Sequence, residues 1–434
     1  MAEELAAPAA SRRFSPAMFR SLSVPNYRKY FWGGMISNTG VWMQRTAQAW
    51  VVLQLSGASG TALGLVTLAQ FGPAMVFSVY AGTLSDRYSK IKLLVLTQTL
   101  LGLTSLILAI LDVTDVITLN HVYALALAVG VITAFDMPAR QAFASELVGP
   151  NNIANAIGLN TASFNSARLL GPPLAGLMIG GLNTWSIFFV HAASSVAIVV
   201  SLLRIDVSAL SRQATLGRAP GQLLAGFRFV RHAPTLIIFI GLASMVAAVG
   251  ANSLQVVIPL IATERFGSDA LGFGMLSAAL AVGGLLGALL ASMTSGMPRQ
   301  RWVFGAAVLL GVSQLVASLM PSLVTFAIAL VLVGLLFMSF VVLANTSVQL
   351  AAPAAVRGRV IAVYMMFFMG GGALGAPALG ALADWLSPMQ TVTVAGAFSI
   401  AVGTGCATLA LFIRRRLARQ APAPVWVPEE VTTC

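Results

Sequence analysis

Two arginines lie inside long apolar stretches of the sequence, where a positive charge is expensive. Arg45 and Arg168 are both surrounded by mostly uncharged residues. An arginine near the centre of a membrane helix costs roughly 2.5–3.5 kcal/mol on insertion scales. A guanidinium holds carboxylates, phosphates or catecholates through forked hydrogen bonds, so we expect these residues to bind an anion or a polyphenol. The alternative is that each arginine clamps the carbonyl groups of a helix end.

Each arginine continues a stripe of polar residues at helical spacing. The first stripe contains an indole that could stack on a ligand ring, and the second contains a hydroxyl and an amide. Residues at i, i+4 and i+7 share one face of a helix. The predicted substrate-binding set is therefore Arg45, Arg168, Asn38, Trp42, Gln48, Thr161 and Asn165.

Membrane-spanning helices must position these stripes. The chain of 434 residues is 58% hydrophobic and 9% charged, with a mean hydropathy of +0.88. Soluble domains carry about 25% charged residues, so a fold surrounded by water is excluded. A helix needs about 20 apolar residues to cross a bilayer. Runs of that size predict twelve spans, at about 30–54, 61–82, 91–111, 118–137, 153–181, 184–204, 235–262, 270–295, 302–320, 323–350, 359–382 and 389–413.

The basic residues fall on one side of these spans. Twenty-two of the 25 Lys and Arg residues lie in alternate connecting segments, and Arg265 alone lies on the other side. Cytoplasmic loops carry such an excess, so both termini are predicted to be cytoplasmic. The first span is of full length, which predicts an uncleaved helix rather than a signal peptide. Short loop clusters also account for the net charge of +12, so no nucleic-acid partner is expected.

The spans divide into two groups of six. The longest inner loop separates them, and residues 146–157 resemble residues 349–360 at a constant offset. Parallel six-span repeats build one large class of transporters, although any two apolar helices share some similarity. The prediction is an all-α membrane protein with twelve transmembrane helices in two six-helix pseudo-repeat bundles. Its parts are a cytoplasmic segment 1–29, bundle 30–204, linker 205–234, bundle 235–413 and tail 414–434.

The stretch from Gly82 to Lys92 is the most specific short motif. It reads Gly-Thr-Leu-Ser-Asp-Arg-Tyr-Ser-Lys-Ile-Lys and is predicted to form the loop after the second span. Here the chain resembles the major facilitator superfamily. The resemblance implies that Gly82, Asp86, Arg87 and Lys90 latch a cytoplasmic gate. The alternative is a basic anchor that follows the positive-inside rule and includes one incidental acid.

Two further segments narrow the resemblance. Residues 136–143 read Asp-Met-Pro-Ala-Arg-Gln-Ala-Phe, and residues 155–168 run from Asn-Ala-Ile-Gly to Ser-Ala-Arg. With Trp42-Met-Gln-Arg45, they resemble the branch of the superfamily that includes the enterobactin exporters. Asp136 and Arg140 stand one helical turn apart, with Glu146 as a further partner. The resemblance implies proton coupling at these three residues, whereas the plainer alternative is a surface ion pair.

A Gly-Pro pattern in the fifth span resembles the one that the superfamily associates with antiporters. Proline removes a backbone donor and permits a bend, and spaced small residues allow close helix contact. The predicted conformational residues are Gly171, Pro172 and Gly176, with Pro377 in a matching position of the eleventh span. Packing alone is the alternative.

The resemblance as a whole implies a secondary active transporter. We expect an exporter that moves a small organic solute, anionic or aromatic, by alternating access with proton coupling, as a monomer in a bacterial inner membrane. The alternatives are a flippase for lysolipids, with residues 365–368 lining an apolar route, and a membrane scaffold. No cofactor motif, metal-ligand spacing or nucleophile–base pair occurs in the sequence, so neither an enzyme nor a cofactor is expected.

Overall fold

The computed structural model describes residues 16–149, 152–210, 222–250, 254–293, 300–354 and 356–420, without the side chains of 16–18, 78–79, 81–87, 222–225, 300 and 414–420. In this part of the chain every regular element is helical. The α-helices are α1 (Pro25–Leu55), α2 (Gly60–Arg87), α3 (Lys90–Val113), α4 (Leu119–Val148), α5 (Ile153–Leu182), α6 (Thr184–Leu203), α7 (Gln222–Arg231), α8 (Pro234–Val249), α9 (Ala270–Met293), α10 (Gln300–Ser318), α11 (Leu323–Ala351), α12 (Arg357–Trp385) and α13 (Pro388–Gln420). Shorter helical turns are Pro16–Ser23, Val207–Ala209, Ile258–Leu260 and Ile261–Arg265.

Nine helices within the described ranges are long and apolar enough to cross a membrane. They are α2, α3, α4, α6 and α9 to α13. The two helices that carry the polar stripes, α1 with 31 residues and α5 with 30, are long enough but less apolar. Helix α8 is apolar but has only 16 residues. The chemistry of the stripes thus lowers the hydropathy of the two helices that hold the arginines.

One sequence prediction about a helix end is wrong, and two other helices extend into or lie within stretches that the sequence assigns to connections. The expected loop 82–92 is mostly helical, because α2 continues to Arg87 and α3 begins at Lys90. Helix α4 continues to Val148, beyond the predicted span limit at residue 137, so Asp136 lies inside the helix. The linker 205–234 contains helix α7, which has an apolar side and ends in basic residues. In each case polar residues belong to a helix, although their composition is typical of a connection.

The chain divides into two compact units. Unit 1 comprises Met1–Leu55, Val76–Arg218 and Asp269–Ala278. In it, α1 packs against α5 and α6, and α3 packs against α4 and α6. A buried cluster near the start of α1 includes Tyr27 and Phe143. The Tyr27 hydroxyl donates to the Ala156 carbonyl at 2.9 Å, which joins α1 to α5. These contacts hold together α1 and α5, the two helices that carry the polar stripes.

Unit 2 comprises Ser56–Met75, Ala219–Ser268 and Ala279–Cys434. In it, α8 packs against α12, and α10 packs against α11 and α13. The buried Gln314 side chain donates to the Val249 carbonyl at 2.8 Å and accepts from Ser399 at 3.1 Å, so one amide links three helices. The first part of α2 also belongs to this unit.

Candidate functional site

Two arginine side chains flank one indole ring in unit 1. The Cζ atom of Arg45 lies 4.8 Å from the Trp42 ring centroid, and that of Arg168 lies 5.4 Å from it. Both distances fall within the range of a cation–π interaction, which is worth about 0.5–2 kcal/mol. Trp42 is 7% exposed. The structure therefore brings together three residues that the sequence places on two separate stripes.

Helices α1 and α5 approach closely at this site because Gly171 has no side chain. A methyl group at Gly171 would lie 2.6 Å from the Trp42 Cβ atom and 3.2 Å from the Met43 nitrogen. One turn along, the Asn38 amide reaches the Ser163 hydroxyl at 3.4 Å. Gly171, predicted as a conformational residue, thus also determines where Trp42 lies relative to α5.

Buried donors at the site lack acceptors. The Nε atom of Arg168 and the Nε1 atom of Trp42 have no hydrogen-bond partner among the described residues, although both are buried. Nearly all buried polar groups in folded proteins are hydrogen-bonded, so each exception calls for an explanation. Arg168 takes part in neither of the two ion pairs formed by the described residues. The site consequently offers donors and positive charge, which suit a ligand rich in acceptors.

The other predicted substrate-binding residues contribute less directly. The Asn165 amide donates to the Thr161 carbonyl at 2.9 Å, and the Thr161 hydroxyl donates to the Ile157 carbonyl at 2.8 Å. Each side chain therefore bonds the backbone of its own helix. Gln48 is only 1% exposed. Among the predicted substrate-binding residues, Trp42 is in contact with both Arg45 and Arg168.

Two aromatic neighbours are absent from the sequence-based set. Phe164 meets Trp42 edge to face, with ring centroids 5.7 Å apart. His191 on α6 is 3% exposed, and neither ring nitrogen has a hydrogen-bond partner within the described chain. A methyl group at Gly40 of α1 would lie 3.1 Å from its Cδ2 atom. Phe164 adjoins Asn165 in the sequence, whereas no spacing rule links His191 to the stripes.

Asp136 and Arg140 form a buried ion pair on α4. The Asp136 carboxylate also accepts hydrogen bonds from the Thr97 hydroxyl at 2.6 Å and the Gln98 amide at 2.8 Å, both on α3. Ser37 of α1 donates to the same Gln98 side chain at 3.2 Å. With Asp136 4% exposed, the alternative of a surface ion pair is wrong. The network links three helices of unit 1.

Glu146 pairs with Lys90 and not with Arg140. The Lys90 Nζ atom lies 2.7 Å from a Glu146 carboxylate oxygen, and the pair joins the start of α3 to the end of α4. The other members of the predicted gate, Gly82, Asp86 and Arg87, have a helical backbone in α2. Their side chains lie outside the described residues, so the predicted latch stays a prediction.

The predicted bending residues lie at close helix contacts. In unit 1, a methyl group at Gly176 would lie 2.6 Å from the Ala270 carbonyl oxygen, and one at Gly274 would lie 2.5 Å from that of Pro172. In unit 2, a methyl group at Gly64 would lie 2.7 Å from the Ala376 carbonyl oxygen, next to Pro377. Helix-interior prolines therefore coincide with close backbone contact twice.

An aspartate near the end of α12 caps the start of α2 within unit 2. The Asp384 carboxylate accepts hydrogen bonds from the Gly60 nitrogen at 2.5 Å, the Thr61 nitrogen at 2.9 Å and the Ser59 hydroxyl at 3.1 Å. A carboxylate is favourable at a helix N-terminus because free N–H groups gather there. Burial, and then the nearby Asp384 charge, raise the pKa of the Glu264 carboxyl. Neither acid belongs to the set predicted from sequence.

This chain is similar to known proteins over most of its length. Residues 17–431 match the family model described as transmembrane secretion effector. The multidrug efflux pump Tap of Mycolicibacterium fortuitum is 29% identical over 346 residues, which cover 77% of this chain and 83% of that protein. The enterobactin exporter EntS of Shigella flexneri is 26% identical over 408 residues, covering 92% and 95%.

Solved transporters share the fold. A point mutant of the nucleoside transporter NupG superposes with a TM-score of 0.71 at 14% identity, over 88% of this chain and 99% of that one. An inward-facing bacterial homologue of the human lysosomal transporter Spinster gives a TM-score of 0.69 at 14% identity, over 92% and 99%.

Proposed function

Because this chain belongs to the transmembrane secretion effector family of the major facilitator superfamily, and is thus a multi-pass membrane transporter, we propose that it exports a small organic anion with an aromatic or planar group. The family match confirms the resemblance that the sequence motifs indicate. Curated relatives named as an efflux pump and an exporter support the outward direction.

The two arginines beside Trp42 support an anionic substrate. Arg168 and Trp42 offer buried N–H groups without acceptors among the described residues, and Arg45 adds a second positive charge beside the same ring. An anion supplies acceptors and offsets charge, and charge-assisted hydrogen bonds are about twice as strong as neutral ones. An aromatic ring on the ligand gains contact with Trp42 and Phe164.

The proposed mechanism is alternating access by the two predicted six-helix halves, 30–204 and 235–413, with both termini in the cytoplasm of a bacterial cell. Pro172 and Pro377 support it, because each lies inside a helix and permits bending where the backbone hydrogen bond is missing. Proton coupling through Asp136 and Arg140, with Glu146 as a neighbour on the same helix, completes the proposal. The working form is a monomer.

Reconstitution of the full chain in proteoliposomes tests the substrate class. Counterflow is measured with an aromatic carboxylate, a catechol carboxylate and the neutral amide of each. We expect flux of the anions and at least tenfold less flux of the amides, since a hydrogen bond to a charged group is worth about 1.5–3 kcal/mol. Arg168→Ala should abolish the difference, whereas Arg265→Ala, which removes an exposed charge from outside the site, should preserve it.

Two results would contradict the proposal. Equal flux of anions and amides means that the arginines do not select charge. Normal anion flux in Arg168→Ala means that the site lies elsewhere. Movement of a labelled lysolipid, with no flux of either anion, supports the flippase alternative instead.

A further inference from the structure

Unit 2 contains a cavity of its own. It has a volume of about 670 Å³ and is formed by helices α7, α8 and α12. Its wall is apolar and includes Ile237, Ile240, Val363 and Phe367. Ile237 and Phe367 are 48% and 41% exposed. Ile240 and Val363 are buried, at 4% and 0% exposed, so Ile237 and Phe367 supply the exposed apolar surface for an acyl chain.

Helix α7 forms the rim of this cavity and is held by close packing. A methyl group at Gly226 would lie 2.9 Å from the Arg359 carbonyl oxygen of α12. The Phe227 and Phe367 rings meet at 6.1 Å between centroids. The short connection from α7 to α8 is also linked to α7 by a hydrogen bond, because the His232 Nδ1 atom lies 2.7 Å from the Arg228 carbonyl oxygen. The rim is therefore a defined surface.

The rim is basic. Arg228, Arg231 and His232 line the cavity and are exposed. Arg228 and Arg231 stand three residues apart on α7, so their side chains share one face. The predicted membrane orientation of the chain places α7 at the cytoplasmic surface. Anionic lipids there attract basic segments next to the membrane. The apolar wall suits the acyl chains of an anionic phospholipid, and the basic rim suits its phosphate.

We propose that this cavity binds one anionic phospholipid. Its phosphate lies against Arg228 and Arg231, and an acyl chain lies along Ile237, Ile240 and Phe367. This site is separate from the proposed substrate site, since no residue is shared between them. It does not depend on the identity of the transported solute.

The full chain is placed in nanodiscs that contain equal amounts of phosphatidylglycerol and phosphatidylcholine. Native mass spectrometry then measures which lipid stays bound to the released protein. We expect the wild type to retain phosphatidylglycerol preferentially. The double variant Arg228→Gln/Arg231→Gln should lose about 25-fold of that preference, because each arginine near an anionic surface contributes about a factor of five. The matched control Lys92→Gln/Arg204→Gln removes two exposed charges from outside the cavity and should keep it.

A second variant tests the apolar wall without changing charge. Gly241 lines the cavity, and a methyl group there would meet no atom within 4 Å. Gly241→Leu should fill the cavity and reduce retention of both lipids while the protein elutes normally in size exclusion.

Three outcomes would overturn the proposal. The first is equal retention of phosphatidylglycerol by both double variants. The second is its displacement by millimolar inorganic phosphate, which would identify a site for a soluble anion. The third is binding only after removal of residues 421–434, since the acids Glu429 and Glu430 would then be the occupant.

Discussion

The Arg168 Cζ atom lies 5.4 Å from the centroid of the Trp42 ring, and this contact makes the form of the cation testable. Arg168→Lys keeps the charge but replaces a planar fork by a point charge that stacks less well on an indole. We expect the KM for an anionic substrate to rise about tenfold, equivalent to about 1.4 kcal/mol, with kcat little changed. Initial rates in proteoliposomes measure both. A KM equal to that of the wild type would show that charge alone suffices.

Gly171→Ala should separate α1 from α5. The new methyl group would lie 2.6 Å from the Trp42 Cβ atom, and overpacking of this kind costs about 1–3 kcal/mol. The expected result is a lower unfolding temperature together with weaker substrate binding. Gly180→Ala on the same helix is the matched control, because a methyl group there meets nothing within 4 Å. Similar unfolding temperatures in both variants would remove the role assigned to Gly171.

Asp136→Asn tests the proposed proton coupling. If Asp136 carries the exchanged proton, flux driven by a pH gradient should be lost while counterflow without a gradient continues. Breaking a buried ion pair also costs about 3–5 kcal/mol, because Arg140 keeps its charge. The double variant Asp136→Asn/Arg140→Gln removes that imbalance. Coupling through Asp136 is wrong if either variant retains gradient-driven flux.

Exchange of the Lys90 and Glu146 charges tests the link between α3 and α4. Lys90→Glu places two carboxylates together, and we expect the unfolding free energy to fall by roughly 1–2 kcal/mol, since the pair is partly buried. The double variant Lys90→Glu/Glu146→Lys should recover most of that loss. Thermal unfolding in detergent at two salt concentrations measures the effect. No recovery in the double variant would mean that the pair contributes nothing as a pair.

Asp384→Asn should weaken the cap on α2. The variant loses the negative charge at the helix N-terminus and one acceptor, for which we expect a loss of about 1–2 kcal/mol. Removal of the charge should also lower the pKa of Glu264, because Asp384 raises it. Asp115→Asn, at an exposed turn, is the control. Unfolding temperatures for both variants, with the titration of Glu264, decide the result.

Sequence reasoning locates the two arginines because their cost in an apolar stretch does not depend on the fold. The same reasoning groups residues by their spacing along a helix, so it places Trp42 with Arg45. Contact between Arg168 and Trp42 depends on how α1 packs against α5, and spacing within one helix contains no such information. The importance of Gly171 to this site follows from that packing as well.

The helices that the sequence does not predict have a common cause. Charged and small residues near 82–92 favour the end of a helix, yet helix α2 continues to Arg87. The sequence does not indicate helix α7 for the same reason. Its ten residues form a segment too short for a membrane span, and its composition is typical of a polar connection. The sequence analysis groups Glu146 with Asp136 and Arg140 because they are near in the chain, whereas Glu146 pairs with Lys90 once α3 packs against α4.

Trp42 has two tasks at once. Its ring contacts the guanidinium groups of both arginines, and its Cβ atom packs against α5 at Gly171. A substitution of this tryptophan would therefore change helix spacing together with ligand recognition. Divergence of substrate range among related chains should accordingly proceed through the surrounding residues, Arg45, Phe164 and Arg168, while the tryptophan itself is retained.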